Sequence, residues 1–222
     1  MNVRGLLFDF DGLLVDTESP SRRGWEELYR EHGHELPLDQ WATLVGTIGA
    51  PFDPFAHLEE LVGTPLDRDT LIERKRTRES ELIDLEDLRP GVEDYLAEAK
   101  LRGLSTAIVS SSTAPWIQQN LHRLGRADGW DVIVTADGDR SRAKPSPTLY
   151  LEALDALGLA PPEAIAFEDS PNGVRAAKAA GIFCVAVPNS VTASLGLDEA
   201  DVVVESLADV PLAELLRRAA AA

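Results

Sequence analysis

The sequence contains one cysteine, Cys184, and few basic residues. A single thiol excludes an internal disulfide and is typical of a protein from a reducing compartment, so we expect a cytoplasmic location. The 21 Lys and Arg residues face 38 Asp and Glu residues, which gives a formal net charge of −17. This balance argues against a nucleic-acid partner, and an anionic ligand would need local positive charge from a metal ion, a lysine or helix N-termini.

Long apolar runs are also missing. No stretch is long enough to cross a bilayer, and the amino terminus leads directly into a short apolar run, so we expect neither a membrane partner nor a signal peptide. The 16 Gly and 14 Pro residues are close to average frequencies, which is typical of a folded globular protein. At 222 residues the chain can form one large domain or a core with a smaller insert.

The chain does contain a pair of carboxylates directly after a short apolar run. Residues 6–8 are apolar, Asp9 follows them, and Asp11 and Gly12 come next. Such a run closed by a polar turn predicts a buried strand, and ligands bind at the carboxyl ends of strands in open parallel sheets. Two carboxylates at this place can hold a divalent cation and divide nucleophilic and acid–base work. A chance acidic turn is the alternative interpretation.

The rest of the chain falls into two parts. Residues 18–87 show helical periodicity interrupted at Gly and Pro, without a strand pattern, whereas apolar strands alternate with helices from residue 88 onward. Such alternation predicts an α/β fold with a parallel sheet covered by helices on both faces. The later strands are expected at residues 106–109, 132–134, 164–167, 182–187 and 202–204. Because the first strand precedes the helical segment, that segment is predicted to be an insert.

The first motif resembles that of the haloacid dehalogenase-like hydrolases, in which a hydrophobic strand precedes Asp-x-Asp-Gly-x-(Leu/Val/Ile)-x-Asp. Asp9, Asp11, Gly12 and Asp16 match it residue by residue. Three further motifs follow in the family's order, so the resemblance covers most of the chain. They are Ala-Ile-Val-Ser-Ser-Ser at 107–112, Arg-Ala-Lys-Pro-Ser-Pro at 142–147 and Ile-Ala-Phe-Glu-Asp-Ser-Pro-Asn-Gly at 165–173.

The resemblance implies a Rossmann-like parallel-sheet core of residues 1–17 and 88–222, with an all-helical cap domain of residues 18–87 inserted after the first strand. Asp9 would be the nucleophile that forms an aspartyl-phosphate. Asp11 would protonate the leaving oxygen and later activate water. Dehalogenases of the family lack an aspartate at this second position, because a halide leaving group needs no proton. Asp11 therefore favours phosphoryl chemistry.

The resemblance also implies the residues that bind the phosphoryl group. Ser110 and Ser111 would donate hydrogen bonds to its oxygens, and Lys144 would neutralise the nucleophile and the transferring group. Ser112 and Thr113 are expected only to cap the next helix.

Mg²⁺ is the expected cofactor, since it takes a few carboxylates together with phosphate oxygens and water. The predicted metal ligands are Asp9, Asp11, Asp169 and Glu168. Asp169 would coordinate the ion directly or through water, and whether Glu168 also contacts the ion is left open.

These features together favour a Mg²⁺-dependent phosphatase that hydrolyses a small phosphorylated metabolite, with a sugar phosphate as one candidate. The alternative is a phosphomutase of the β-phosphoglucomutase type, which carries a cap histidine and a cap arginine where this chain has Ser21 and Gly49. Both departures favour hydrolysis. A binding module without catalysis is a third alternative, which the presence of every core motif residue disfavours.

A basic run in the predicted cap has two interpretations. Arg74, Lys75, Arg76 and Arg78 are expected to form a solvated helix face paired with nearby glutamates. The alternative is that this run contacts a second charge on the substrate.

Overall fold

The computed structural model describes residues 2–41, 44 and 52–222. Within these residues six parallel strands form one sheet in the order β3-β2-β1-β4-β5-β6. The strands are β1 (Gly5–Phe8), β2 (Ser105–Ser110), β3 (Val132–Thr135), β4 (Ala164–Glu168), β5 (Phe183–Ala186) and β6 (Val202–Val203). The predicted parallel α/β sheet is therefore confirmed.

Helices connect the strands. They are α1 (Glu18–Glu31), α2 (Leu38–Trp41), α3 (Pro54–Val62), α4 (Arg68–Ile83), α5 (Val92–Arg102), α6 (Ala114–Arg123), α7 (Thr148–Leu157), α8 (Pro171–Ala179) and α9 (Leu212–Ala221). In the described part of the chain, none of the helices combines the length and the apolar character needed to cross a membrane.

The central strand β1 is buried on both faces, and its side chains alternate between two hydrophobic layers. Leu6 and Phe8 pack on the side of α5, α6 and α9, whereas Leu7 packs on the side of α7 and α8. This alternation follows from the two-residue period of a strand. It explains why β1 reads as a continuous apolar run in the sequence.

The strand register aligns the carboxyl ends at which the acidic residues lie. Phe8 pairs with Ile108 of β2 and with Phe167 of β4. The residues that follow these positions therefore meet at one edge of the sheet. Asp9 comes next to the end of β4, because its N–H donates to the Phe167 carbonyl at 3.0 Å.

The helices between β1 and α5 share a hydrophobic cluster, which Val191 from the segment after β5 also joins. Trp25, Leu28 and Tyr29 of α1 pack with Leu58 of α3 and Leu71 of α4. We propose that residues 18–87 form a cap domain on a core of residues 1–17 and 88–222. The two connections between these parts run side by side, since Val15 and Leu88 form an antiparallel bridge.

Candidate active site

Three buried carboxylates converge at the carboxyl ends of β1 and β4. Asp9 follows β1, Glu168 ends β4 and Asp169 comes directly after it. One oxygen from each of the three residues lies within 4.8 Å of the others. The structure therefore brings together three of the four predicted metal ligands.

Lys144 is the cation that faces this group. Its side chain is 6% exposed, and its Nζ lies 2.6 Å from Asp9 Oδ1 and 2.6 Å from Glu168 Oε1. The Tyr150 hydroxyl also donates to Glu168 Oε1, at 2.5 Å. The N–H of Lys144 donates to Ser111 Oγ at 3.1 Å, which ties the lysine loop to the end of β2. The predicted proximity of Lys144 to Asp9 is present in the structure.

Burial and mutual repulsion shift the titration of these groups. Burial raises the pKa of Asp9 to about 8, although the charge of Lys144 opposes this shift. Burial also raises the pKa of Asp169 well above its usual range, and the charges of Asp9 and Glu168 add to the effect. Burial alone would lower the pKa of Lys144, but the facing carboxylates outweigh it and raise that pKa. One lysine thus lies beside three carboxylates, so the site contains fewer positive charges than acidic groups.

The donor set fits a hard divalent cation. Glu168 Oε2 is buried, and among the described residues it has no hydrogen-bond partner. A buried carboxylate oxygen without a partner is costly unless a cation or an ordered water satisfies it. Because the available ligands are all carboxylate oxygens, Mg²⁺ suits the site better than a softer metal.

The Asp11 carboxylate lies outside this group of acids. Its Oδ1 accepts a hydrogen bond from Trp116 Nε1 at 2.9 Å, and its Oδ2 accepts one from Ser112 Oγ at 2.5 Å. These donors hold it on the side of α6, so the structure gives no support to the prediction that Asp11 ligates the metal through its carboxylate. The prediction that Asp11 is an acid and base does not need that contact.

The serines at the carboxyl end of β2 have separate local partners. Ser110 Oγ accepts the N–H of Ser112 at 3.0 Å and lies 3.4 Å from Asp11 Oδ2. Thr113 occupies the expected N-cap position of α6, although without a side-chain cap bond. Ser112, which was expected only to cap this helix, bonds Asp11 instead. The roles of Ser110 and Ser111 in phosphate binding stay predictions.

The loops around the site hold Asp169 in place. Asn189 Nδ2 donates to Asp169 Oδ2 at 2.8 Å. Gly12 has φ +79°, and a Cβ at this position would lie 2.2 Å from Asp169 Oδ2. Arg89 Nη1 donates to the Gly12 carbonyl at 2.6 Å. Glycine is therefore needed here both for the backbone conformation and for the close approach of the carboxylate.

Sequence reasoning missed Trp116, Tyr150 and Asn189. The two aromatic residues lie on helices with apolar periodicity and look like ordinary core residues. Asn189 follows the carboxyl end of β5, and that position is a signal that could have identified it.

Gly173 makes the space that Glu168 occupies, and this generates a test of the packing. A Cβ on residue 173 would lie 1.7 Å from Glu168 Oε2. We expect Gly173→Ala to lower the free energy of unfolding by about 1–3 kcal/mol, because the buried carboxylate cannot move freely. Urea denaturation followed by circular dichroism measures the change.

Gly24→Ala is the matched control for Gly173→Ala, since both glycines lie inside helices and Gly24 has only ordinary contacts at 3.5 Å or more. Alanine should raise stability there by up to about 1 kcal/mol through helix propensity. Equal effects of the two substitutions would contradict the proposed packing role of Gly173.

Comparison with known proteins agrees with this geometry. Residues 3–181 match the model of the haloacid dehalogenase-like hydrolases. The chain is 45% identical to YhcW of Bacillus subtilis, which is named as a phosphatase, over 96% of each protein. It is 34% identical to validoxylamine A 7′-phosphate phosphatase of Streptomyces hygroscopicus, over 92% of this chain and 94% of that protein. The crystal structure of CbbY from Rhodobacter sphaeroides in complex with phosphate is 32% identical and superposes with a TM-score of 0.68, covering 93% of this chain and 96% of that one. The protein belongs to the haloacid dehalogenase-like hydrolases.

Proposed function

We propose that this protein is a Mg²⁺-dependent phosphatase that hydrolyses a small phosphate ester through an aspartyl-phosphate at Asp9. The observation that carries this proposal is the buried Asp9 carboxylate, paired with Lys144 at 2.6 Å and grouped with Glu168 and Asp169. The phosphatases among the similar proteins support the same reaction.

Two displacements at phosphorus make up the proposed reaction. The Asp9 carboxylate attacks phosphorus, the bond from phosphorus to the ester oxygen breaks, and Asp11 gives its proton to the leaving oxygen. Asp11 then takes a proton from a water molecule as that water attacks the aspartyl-phosphate. The bond between phosphorus and Asp9 breaks, inorganic phosphate leaves and the Asp9 carboxylate is restored.

The chain's own cation and donors act on the transferring group. The raised pKa of Lys144 keeps its ammonium charged, so it offers a fixed positive charge beside Asp9. Ser110 ends β2 and Ser111 follows it, beside the end of β1, and both can donate hydrogen bonds to phosphoryl oxygens. Fixed donors and charges of this kind stabilise the charge that develops in the transition state.

Mg²⁺ would be held by Asp9 and Asp169, with Glu168 Oε2 completing the shell directly or through water. When bound, the ion supplies positive charge that offsets the repulsion between the Asp9 carboxylate and the anionic ester. Asn189 and the loop of Gly12 keep Asp169 oriented for this task.

The substrate is a small molecule. Asp11 lines a cleft of about 510 Å³ between the helical part and the sheet, a volume within the range of small-molecule sites. Validoxylamine A 7′-phosphate phosphatase acts, by its name, on a phosphorylated small molecule, and a sugar phosphate remains a candidate substrate class here.

The net charge of −17 and the single cysteine support a cytoplasmic enzyme without a nucleic-acid partner.

The phosphomutase alternative has little support. Ser21 stands where a mutase carries its cap histidine, and its Oγ accepts a hydrogen bond from Lys75 Nζ at 3.3 Å. The other diagnostic position, Gly49, lies outside the described residues.

The nucleophile is tested by Asp9→Asn, which preserves shape but removes the attacking charge. Turnover of a phosphate-ester panel with Mg²⁺ should fall by at least about 1,000-fold, because loss of a nucleophile removes the covalent route. Released inorganic phosphate is the readout, and mass spectrometry checks the asparagine for deamidation. Asp155→Asn, an exposed aspartate on α7, is the control and should retain full turnover. Substantial activity in pure Asp9→Asn protein would place the nucleophile elsewhere.

Metal binding has a test that does not depend on turnover. Because Mg²⁺ would bind only the folded site, a concentration of 100 times its Kd should stabilise the protein by about 2.7 kcal/mol. For a chain of this size that corresponds to a rise in Tm of roughly 5–10 °C. Asp169→Asn should lose most of this Mg²⁺-induced rise, and Asp155→Asn should keep it. A rise of equal size in both variants would remove Asp169 from the metal site.

Phosphatase and mutase activities are separated by their products. We expect glucose 1-phosphate, incubated with Mg²⁺ and a trace of glucose 1,6-bisphosphate, to yield inorganic phosphate at least as fast as glucose 6-phosphate. Water is the expected acceptor because Ser21 replaces the mutase histidine. Accumulation of glucose 6-phosphate well ahead of inorganic phosphate would assign the mutase reaction instead.

A further inference from the structure

The cleft beside Asp11 has a second wall formed by α4. Asp11 and Trp116 line one side, whereas Arg76, Glu79 and Ile83 of α4 line the other. Since Asp11 is the proposed donor to the leaving oxygen, the leaving group of the ester would occupy the space between these walls. The side chains of α4 are therefore placed to select that group.

The basic run on α4 divides into paired and unpaired side chains. Arg74 forms an ion pair with Glu31 of α1 at 2.7 Å, and Arg78 pairs with Glu27 of α1 at 2.8 Å. Both ion pairs join α4 to α1 on the outer face. The interpretation of the run as a paired helix face fits them, with the main partners on α1.

Arg76 lines the cleft itself, whereas Lys75 reaches it only through a hydrogen bond to Ser21, and the two differ in their pairing. Lys75 Nζ is neutralised by Glu79 at 2.7 Å. Arg76, by contrast, makes no hydrogen bond or ion pair with any residue of the described ranges 2–41, 44 and 52–222. Arg76 is thus the member of the basic run that lines the cleft without an ion-pair partner among the described residues.

Three acids line the cleft with Arg76, and none of them pairs with it; Asp11 is held instead by Trp116 and Ser112. Glu79 is already paired with Lys75. Burial raises the pKa of Glu18 to about 7, and the charges of Asp11 and Asp16 add to this effect, so Glu18 carries only part of its charge at neutral pH. The chain has a formal net charge of −17, so a guanidinium without an acidic partner in the described residues gives this cleft a local positive charge that most of the surface lacks. Its planar fork suits carboxylate and phosphate groups.

We propose that Arg76 binds a second anionic group on the leaving group, a carboxylate or a phosphate, and so favours esters that carry a further negative charge. This inference rests on the proposed function, because it assigns Arg76 to the leaving-group side of the same site.

The test measures binding to the Asp9→Asn protein, which should not turn its ligands over. Three ligands with six-carbon skeletons serve as probes in titration calorimetry with Mg²⁺ present: sorbitol 6-phosphate, 6-phosphogluconate and glucose 1,6-bisphosphate. The first has no second anion, the second adds a carboxylate and the third adds a phosphate. We expect at least one of the two doubly anionic ligands to bind at least about 10-fold more tightly than sorbitol 6-phosphate.

The same titrations with a second substitution assign the preference to Arg76. Arg76→Ala should weaken binding of the preferred doubly anionic ligand by about 10- to 100-fold and change binding of sorbitol 6-phosphate less than about twofold. Arg76→Lys, which keeps the charge and loses the fork, should give an intermediate loss. Arg74→Ala is the matched control, since that arginine pairs with Glu31 on the outer face and should leave all three affinities unchanged.

The outcomes separate this inference from the proposed function. Equal binding of the three probes, an absence of binding by all three, or a preference that survives in Arg76→Ala would each overturn the role of Arg76, whether or not the wild-type enzyme releases phosphate. Binding that depends on Arg76, together with no phosphate release from any ester by the wild-type protein, would keep the anion subsite and refute the phosphatase.

Discussion

The buried ion pairing of Lys144 with Asp9 and Glu168 is the interaction on which the rest of the site depends. Both contacts measure 2.6 Å and all three side chains are almost fully enclosed. Buried charges are costly unless they are paired and hydrogen-bonded, and here one ammonium faces three carboxylates. The imbalance creates a demand for further positive charge, which a divalent cation beside Asp9 and Asp169 would meet. The charge count of the site therefore supports the proposed binding of a divalent cation.

The surrounding fold keeps these charges close despite their repulsion. The parallel register puts the residue after β1 beside the end of β4, so backbone hydrogen bonds rather than side-chain contacts bring Asp9 and Glu168 together. Gly12 and Gly173 leave the room that the Asp169 and Glu168 carboxylates occupy. Because these constraints come from backbone geometry, the acidic group does not depend on the cap for its arrangement.

The proposed specificity depends on a different set of residues. The catalytic edge belongs to strand ends of the sheet, whereas the opposite wall of the cleft belongs to α4, which is fixed to α1 by outward ion pairs and by the hydrophobic cluster around Trp25. The acidic group and the opposite wall of the cleft therefore come from separate parts of the chain. Arg76, free of partners in the described part of the chain, is the feature of that wall with the clearest chemical preference.

The sequence by itself determined the order of strands and helices, the helical insert and the acids at the ends of β1 and β4. Periodicity is a local property, and strand ends of a parallel sheet meet at one edge by topology, so Asp9 and Asp169 could be assigned to one place before any coordinates. Lys144 was assigned to the same place only by the family resemblance. Only the tertiary structure decided where side chains point and which charges are cancelled. In the folded protein Asp11 accepts a hydrogen bond from Trp116, a residue 105 positions away, and another from Ser112, which therefore does not cap α6. Arg74 and Arg78 form ion pairs with α1. Arg76 has no partner among the described residues. Such choices depend on rotamers and ion pairs between distant segments, which no local pattern records.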